Sequence, residues 1–222
     1  LWLRDVPANL YRKNNEIMRR LAAVKEMRLK STAAPTRAMA DAPYKFFSAP
    51  QKEGDCLCIP EVSSERRKYI PMGFLKNGII ASNKLLILPD ASIYHFGVLI
   101  SNVHMAWTRT VCGRLKSDYQ YSGAIVYNNF PWPIPTEQQK QRIEQTAQAI
   151  LDARALYPDC SLADLYDELT MPPELRKAHQ ANDRAVMDAY GFTKGTAART
   201  SESACVAELM KLYQQKASEP EK

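Results

Sequence analysis

Gly113-Arg114-Leu115-Lys116-Ser117-Asp118-Tyr119-Gln120-Tyr121 joins two kinds of sequence pattern. Before it, Ile93, Phe96, Ile100, Val103, Trp107 and Val111 recur at helical spacing. That spacing predicts one helix over 91–112, capped by Asp90 or Ser92, stopped at Gly113, with this stripe turned to the core. After it, residues 119–127 read as a strand and lead to Asn129-Phe130-Pro131-Trp132-Pro133. Short strands before this segment and helices after Pro135 predict an α+β fold. If the loop is extended, Lys116, Asp118 and Gln120 project to one side at i, i+2 and i+4. Lysine donates hydrogen bonds, aspartate accepts them and glutamine does both. Guanine offers acceptors at O6 and N7, cytosine a donor at N4, and adenine suits a bidentate amide. The triad is therefore equipped to read base edges.

Toward the N-terminus the pattern is of short strands. Residues 55–62 are half alternating, 68–74 follow, and Lys76-Asn77-Gly78 signals a turn. Leu85-Leu86-Ile87-Leu88, ended by Pro89, suits a buried strand. Residues 31–45 are rich in Ser, Thr, Ala and Pro and look like a connector. Residues 9–30 predict an amphipathic helix capped by Asn9, with Leu10, Ile17, Leu21 and Val24 inside and Arg12, Lys13, Arg19, Arg20, Lys25, Arg28 and Lys30 outside. Toward the C-terminus everything is helical. Thr136-x-x-Gln139 opens a helix to about 156, Ser161-x-x-Asp164 a short one, Pro173 one closed by Gly191, and a last helix covers about 201–216 before a fraying tail. The expected organisation is an N-terminal basic helix and connector (1–45), a small mixed α/β domain (46–133) and an all-α helical subdomain (134–222).

Composition narrows the function. Residues 1–131 carry a net charge of +9 and 132–222 carry −3, the asymmetry of a polyanion-binding face beside a scaffold. The chain has no G-x-G-x-x-G, Walker loop, N-P-P-Y, D-P-P-Y, H-E-x-x-H or G-x-S-x-G, so the cheap catalytic signatures are missing. Five cysteines without a C-x-x-C, and three histidines, argue against structural zinc. His95 and His104 read as satisfied histidines, not ligands, and Asp164 and Asp167 as caps, not a hydrolytic pair. No apolar run reaches membrane-spanning length, and with no secretory leader a cytoplasmic setting with no membrane partner is expected. The abrupt start at Leu1-Trp2-Leu3-Arg4, without Met, suggests a piece of a longer protein.

A set of short words in one order carries a resemblance. They are Phe46-Phe47-Ser48, Val62-Ser63-Ser64-Glu65, Tyr69-Ile70-Pro71-Met72-Gly73-Phe74, Ser82-Asn83, His104-Met105-x-Trp107, Val111-Cys112-Gly113-Arg114-Leu115 and Tyr127-Asn128-Asn129-Phe130-Pro131-Trp132-Pro133. Further on come Ile150-Leu151-x-x-Arg154, Ser161-Leu162-Ala163-Asp164-Leu165-Tyr166-Asp167, Met171-Pro172-x-x-Leu175-Arg176-x-Ala178-His179 and Asn182-Asp183-x-Ala185-Val186. The order resembles the region that follows the methyltransferase domain in MmeI-like type II restriction–modification enzymes, over nearly the whole chain. That resemblance implies a target recognition domain plus the C-terminal helices, with no catalytic residue and no cofactor in the chain itself. It implies a parent that is an N6-adenine DNA methyltransferase, with S-adenosylmethionine, a nuclease using Mg, and a methyltransferase domain in the same polypeptide. The implied partner of this chain is double-stranded DNA.

Carried over by position, the base-reading side chains fall on Glu61, Asn83, Lys84, Lys116, Asp118 and Gln120. The resemblance pairs Glu61 with Asn83 on one base pair, Lys84 with Gln120 on the next, and Lys116 with Asp118 on the outermost. Lys116 can donate to guanine while Asp118 accepts from cytosine N4, which makes that pair G·C in one orientation. Glu61 suits a cytosine N4 and Lys84 a guanine. Arg66, Arg67, Lys68, Arg109 and Arg114 are the candidates for phosphate contacts, and Arg114 can equally brace the loop from inside. Tyr119, Tyr121 and Trp132 are assigned to packing, not to stacking on an unpaired base. The alternative from another class is a non-catalytic protein–protein interaction scaffold of a DNA-processing complex.

Overall fold

In the computed structural model, residues 2–3, 6–47 and 53–218 are described. Ser48 of the Phe46-Phe47-Ser48 word and the tail beyond Ser218 lie outside them. The chain divides into two compact units, Leu1–Pro50 and Gln51–Lys222.

In the first unit the predicted single helix is two. α1 (Ala8–Tyr11) ends at Arg12, and α2 (Asn15–Leu29) starts afresh. The cap is Asn14, not Asn9: its side chain accepts from the Ile17 amide at 3.1 Å. An Asn-Asn pair offers the backbone a local acceptor, which favours a break and a new N-cap over helix continuation. The basic surface is also less free than its sequence suggests. Arg19 and Arg20 both grip Glu16, Lys30 holds Glu26 and Lys25 holds Asp41. Arg28 turns inward and is buried, donating to the carbonyls of Met39, Ala42 and Lys45. A guanidinium can satisfy three carbonyls at once, so this residue organises the connector, which includes the short α3 (Ala34–Ala38).

The second unit holds two small antiparallel sheets. In one, β1 (Cys56–Pro60) is central between β3 (Gly73–Leu75) and β4 (Leu85–Pro89). β4 is half-buried along its length, not the buried strand its apolar run predicts, because it is an edge strand. In the other sheet, β6 (Asp118–Gln120) lies between β2 (Val62–Ser63) and β5 (Gly113–Leu115). The helix expected over 91–112 breaks into α4 (Ile93–Leu99) and α5 (Asn102–Val111). Ser101 causes the break: its hydroxyl donates to the Val98 carbonyl at 2.7 Å and accepts from the His104 amide at 3.3 Å, ending one helix and capping the next. Of the two proposed caps, Ser92 is the one used, in a capping box with His95. Phe96, Ile100, Val103 and Trp107 are buried as the stripe requires. The strand expected over 119–127 stops at Gln120, and Gly123–Tyr127 is instead a π-helical turn capped by Ser122. Trp107 fixes that turn by donating Nε1–H to the Val126 carbonyl at 3.0 Å.

The helical region matches its caps. α6 (Glu137–Ala155) and α7 (Leu162–Leu165) open on the capping boxes at Thr136/Gln139 and Ser161/Asp164. α8 (Pro173–Ala189) is followed by Gly191 at φ +75°. The short α9 (Ala197–Thr200), which no sequence signal announced, precedes α10 (Glu202–Ser218). Gly97 of α4 lies so close to α6 that a Cβ there would sit 2.7 Å from Ile143 Cγ2 and 2.9 Å from Ala147 Cβ. Buried polar ties run alongside. Asn182 donates to the Gly97 carbonyl at 2.7 Å and accepts from Thr146. Asp183 accepts from the Tyr69 hydroxyl at 2.6 Å and the Asn102 amide at 2.8 Å. Arg154 donates to the Met72 carbonyl and to the Tyr166 hydroxyl. The helices therefore brace the elements that carry the sheets.

Candidate nucleic-acid interface

Glu61 is the knot of the site. It stands between β1 and β2, and its backbone links the ends of the two sheets: its amide donates to the Lys84 carbonyl, just before β4, at 3.0 Å, and its carbonyl accepts from the Tyr121 amide, just after β6, at 2.7 Å. Three segments far apart in sequence are thereby sewn together around one residue. The side chains follow, with Lys84 Nζ 3.7 Å from Glu61 Oε2 and both partly or wholly exposed. Asn83, next to Lys84, is exposed, and the Ser82 hydroxyl and carbonyl accept from the Lys84 and Leu85 amides. The ion pair thus joins Glu61 to Lys84, across the expected Glu61/Asn83 and Lys84/Gln120 pairings.

Residues 113–120 are not the extended loop that i, i+2, i+4 spacing assumes. They form a tight hairpin with Leu115 opposite Asp118 and a two-residue turn of Lys116 and Ser117. Lys116 has φ +58°, the left-handed region usual for glycine in such turns. Lys116 is therefore at the tip, while Asp118 and Gln120 share one face of β6. Directly opposite residues share a face, so Leu115 and Val62 join them, and both are exposed. The other face carries Arg114, Tyr119 and Ser63; Tyr119 and Ser63 are buried. Asp118 is held in place by accepting from the Glu65 amide at 3.3 Å.

The candidate phosphate cations separate. Arg66 and Lys68 are exposed, Lys68 beside the Tyr69 ring, and half-buried Arg67 has a buried Nε with no acceptor among the described residues. Arg109 Nε lies 3.0 Å from Glu202 Oε1. Arg114 lies with its Cζ 4.2 Å from the Tyr119 ring centroid and donates to the Ser117 carbonyl at 3.0 Å.

The remaining polar groups have structural duties. His95 Nδ1 accepts from the Ser92 amide at the α4 cap. His104 is fully buried against the Tyr121 hydroxyl, and burial lowers its pKa to about 3. His179 is buried between Tyr69 and Tyr166, and burial, then the Arg154 and Lys68 charges, lowers it well below the usual value. Asp164 is a cap, bound by Ser161. Tyr119 and Tyr121 are buried and Trp132 packs against Phe130 and Tyr127. Among the described residues no group of three His, Cys, Asp or Glu could hold a metal ion.

Exposed, charge-bearing side chains from separate segments, converging on a braced double sheet, define a recognition module. The family models for the MmeI target recognition domain and the MmeI C-terminal domain match residues 1–134 and 135–219. The chain belongs to the MmeI family, as its target recognition domain followed by its C-terminal domain. It is 38% identical over 215 residues to DNA methyltransferase A of Bacillus subtilis (strain 168), covering 97% of this chain and 24% of that protein. It is 47% identical, with a TM-score of 0.91, to the type IIL restriction–modification enzyme MmeI in a structure with DNA, covering 99% of this chain and 29% of that one. The chain thus spans about a quarter of the length of these relatives.

Proposed function

We propose that this chain is the part of a type IIL restriction–modification protein that selects the DNA sequence. The observation that carries the proposal is the convergence of Glu61, Lys84 and Gln120 around one backbone knot. Side chains that read adjacent base pairs must be held within one groove, and these three are brought together from β1–β2, the β3–β4 connection and β6. The MmeI structure with DNA and the methyltransferase relative support DNA as the partner.

In this reading Lys116 and Asp118 read an outer G·C pair, and Lys84 and Gln120 the next position. Glu61 with Asn83 reads a further one. The Glu61–Lys84 ion pair is exposed and worth about 0–1 kcal/mol, so it opens readily when DNA offers each side chain a base. Arg66, Arg67 and Lys68 supply phosphate contacts that set register. Arg109 and Arg114, engaged by Glu202 and by the hairpin, serve as braces. S-adenosylmethionine, Mg and the adenine chemistry belong to the rest of the polypeptide, whose methyltransferase domain is the second partner. A cytoplasmic setting completes the proposal. The five cysteines are all free thiols, and no helix among the described residues is long and apolar enough to cross a membrane.

Selection from a randomised duplex pool tests the proposal. One enriched motif that loses affinity when scrambled is expected. A pool left unenriched would return the chain to the scaffold reading.

A further inference from the structure

We infer that Arg114 is a positioning residue for base reading, holding Lys116 and Asp118 from the opposite face of the sheet. The inference rests on the proposed reading of DNA by this hairpin. Arg114 pairs with Tyr119 in the β5–β6 register, whereas Leu115 pairs with Asp118. Alternation therefore puts the Arg114 side chain on the face away from Asp118 and Gln120. There its guanidinium lies over the ring of buried Tyr119, Cζ 4.2 Å from the centroid, while Nη1 donates to the Ser117 carbonyl at 3.0 Å. One planar group thus ties the turn residue next to Lys116 to an aromatic ring fixed in the core. Lys116 needs the tie, because φ +58° is a conformation a lysine leaves unless its surroundings hold it.

A phosphate contact makes a different demand of the same residue. Any cation would serve there, so lysine would substitute. A brace needs a flat group that stacks and donates at once, which an ammonium does not provide.

The test compares the wild-type chain with R114K and R114A, and with R114Q if alanine prevents folding. Backbone order at residues 115–118 is read by NMR relaxation without DNA. Base preference is read by duplex selection, and affinity is read against salt. Both main variants are expected to lower order in the turn while α6 and α8 keep theirs. Discrimination at the Lys116/Asp118 base pair should fall about tenfold, with the Glu61 and Lys84 positions and the salt slope unchanged. The inference is overturned if R114K behaves as wild type while R114A weakens all duplexes alike and flattens the salt slope by about 0.9. It is also overturned if the turn keeps its order in R114A. If wild type itself has no base preference, the DNA-reading proposal fails on that arm, and the order measurement still decides whether Arg114 holds the turn.

Discussion

At Lys116 the backbone stands at φ +58°, where a lysine costs about 1–2 kcal/mol relative to its preferred regions and glycine costs nothing sterically. Glycine also loses more freedom on folding, about 0.5–1 kcal/mol. Lys116→Gly is therefore expected to leave stability unchanged or raise it by up to about 1.5 kcal/mol, while base preference at the outer pair disappears. Thermal melts and duplex selection on the same variant check this; a clear loss of stability would show that the lysine is not strained. His104 sets a pH effect. Its folded pKa, about 3, lies below the unfolded value near 6.5, so its contribution is present above about pH 6.5 and lost as pH falls toward 3. Asp183 acts oppositely. Burial raises it to about 6, against its Tyr69 and Asn102 hydrogen bonds and the Lys68 and Arg184 charges. Its contribution is present below about pH 4 and lost as pH rises through 6. His104→Gln removes one of these terms. The stability gap between wild type and this variant should narrow by about 1.5 kcal/mol from pH 6.5 to 5 in urea titrations. A gap independent of pH would contradict the buried neutral histidine.

At the scale of elements, Gly97 fixes how closely α4 approaches α6. An alanine Cβ would have to displace Ile143 and Ala147, so Gly97→Ala should cost about 1–3 kcal/mol. Gly113→Ala, whose added carbon meets nothing nearer than 3.8 Å, should cost less. Equilibrium unfolding of the two variants checks the order, and equal costs would contradict the close crossing. The elements most legible in the sequence are those with local signals. The Thr136 and Ser161 capping boxes, Pro173 and Gly191 each fall where their chemistry requires. The departures from the sequence pattern share a cause. Ser101 and Asn14 end or restart helices inside apolar periodicity that itself runs on, and a local side-chain acceptor defeats a pattern averaged over several turns. The hairpin was hidden because its turn has a lysine where glycine or asparagine would have announced it.

Across the whole molecule, the charge asymmetry and the order of the family's words pointed to recognition domain and helical domain together, and the family matches cover both. The convergence of the site was legible only through that resemblance. No local signal in the sequence shows that Glu61 donates to Lys84 and accepts from Tyr121, because strand register over such separations comes from the folded sheets. Nor did it show that helices after 134 hold elements before it, through Asn182 to Gly97 and Asp183 to Asn102. The proposed reading face is thus a product of the Gln51–Lys222 unit acting as one scaffold. The most direct test of the central claim exchanges the charges at its hairpin, Lys116→Glu with Asp118→Arg, and repeats duplex selection. The outer G·C pair is expected to be replaced by C·G while the other positions keep their bases. Selection of the original G·C pair by the exchanged protein would contradict it.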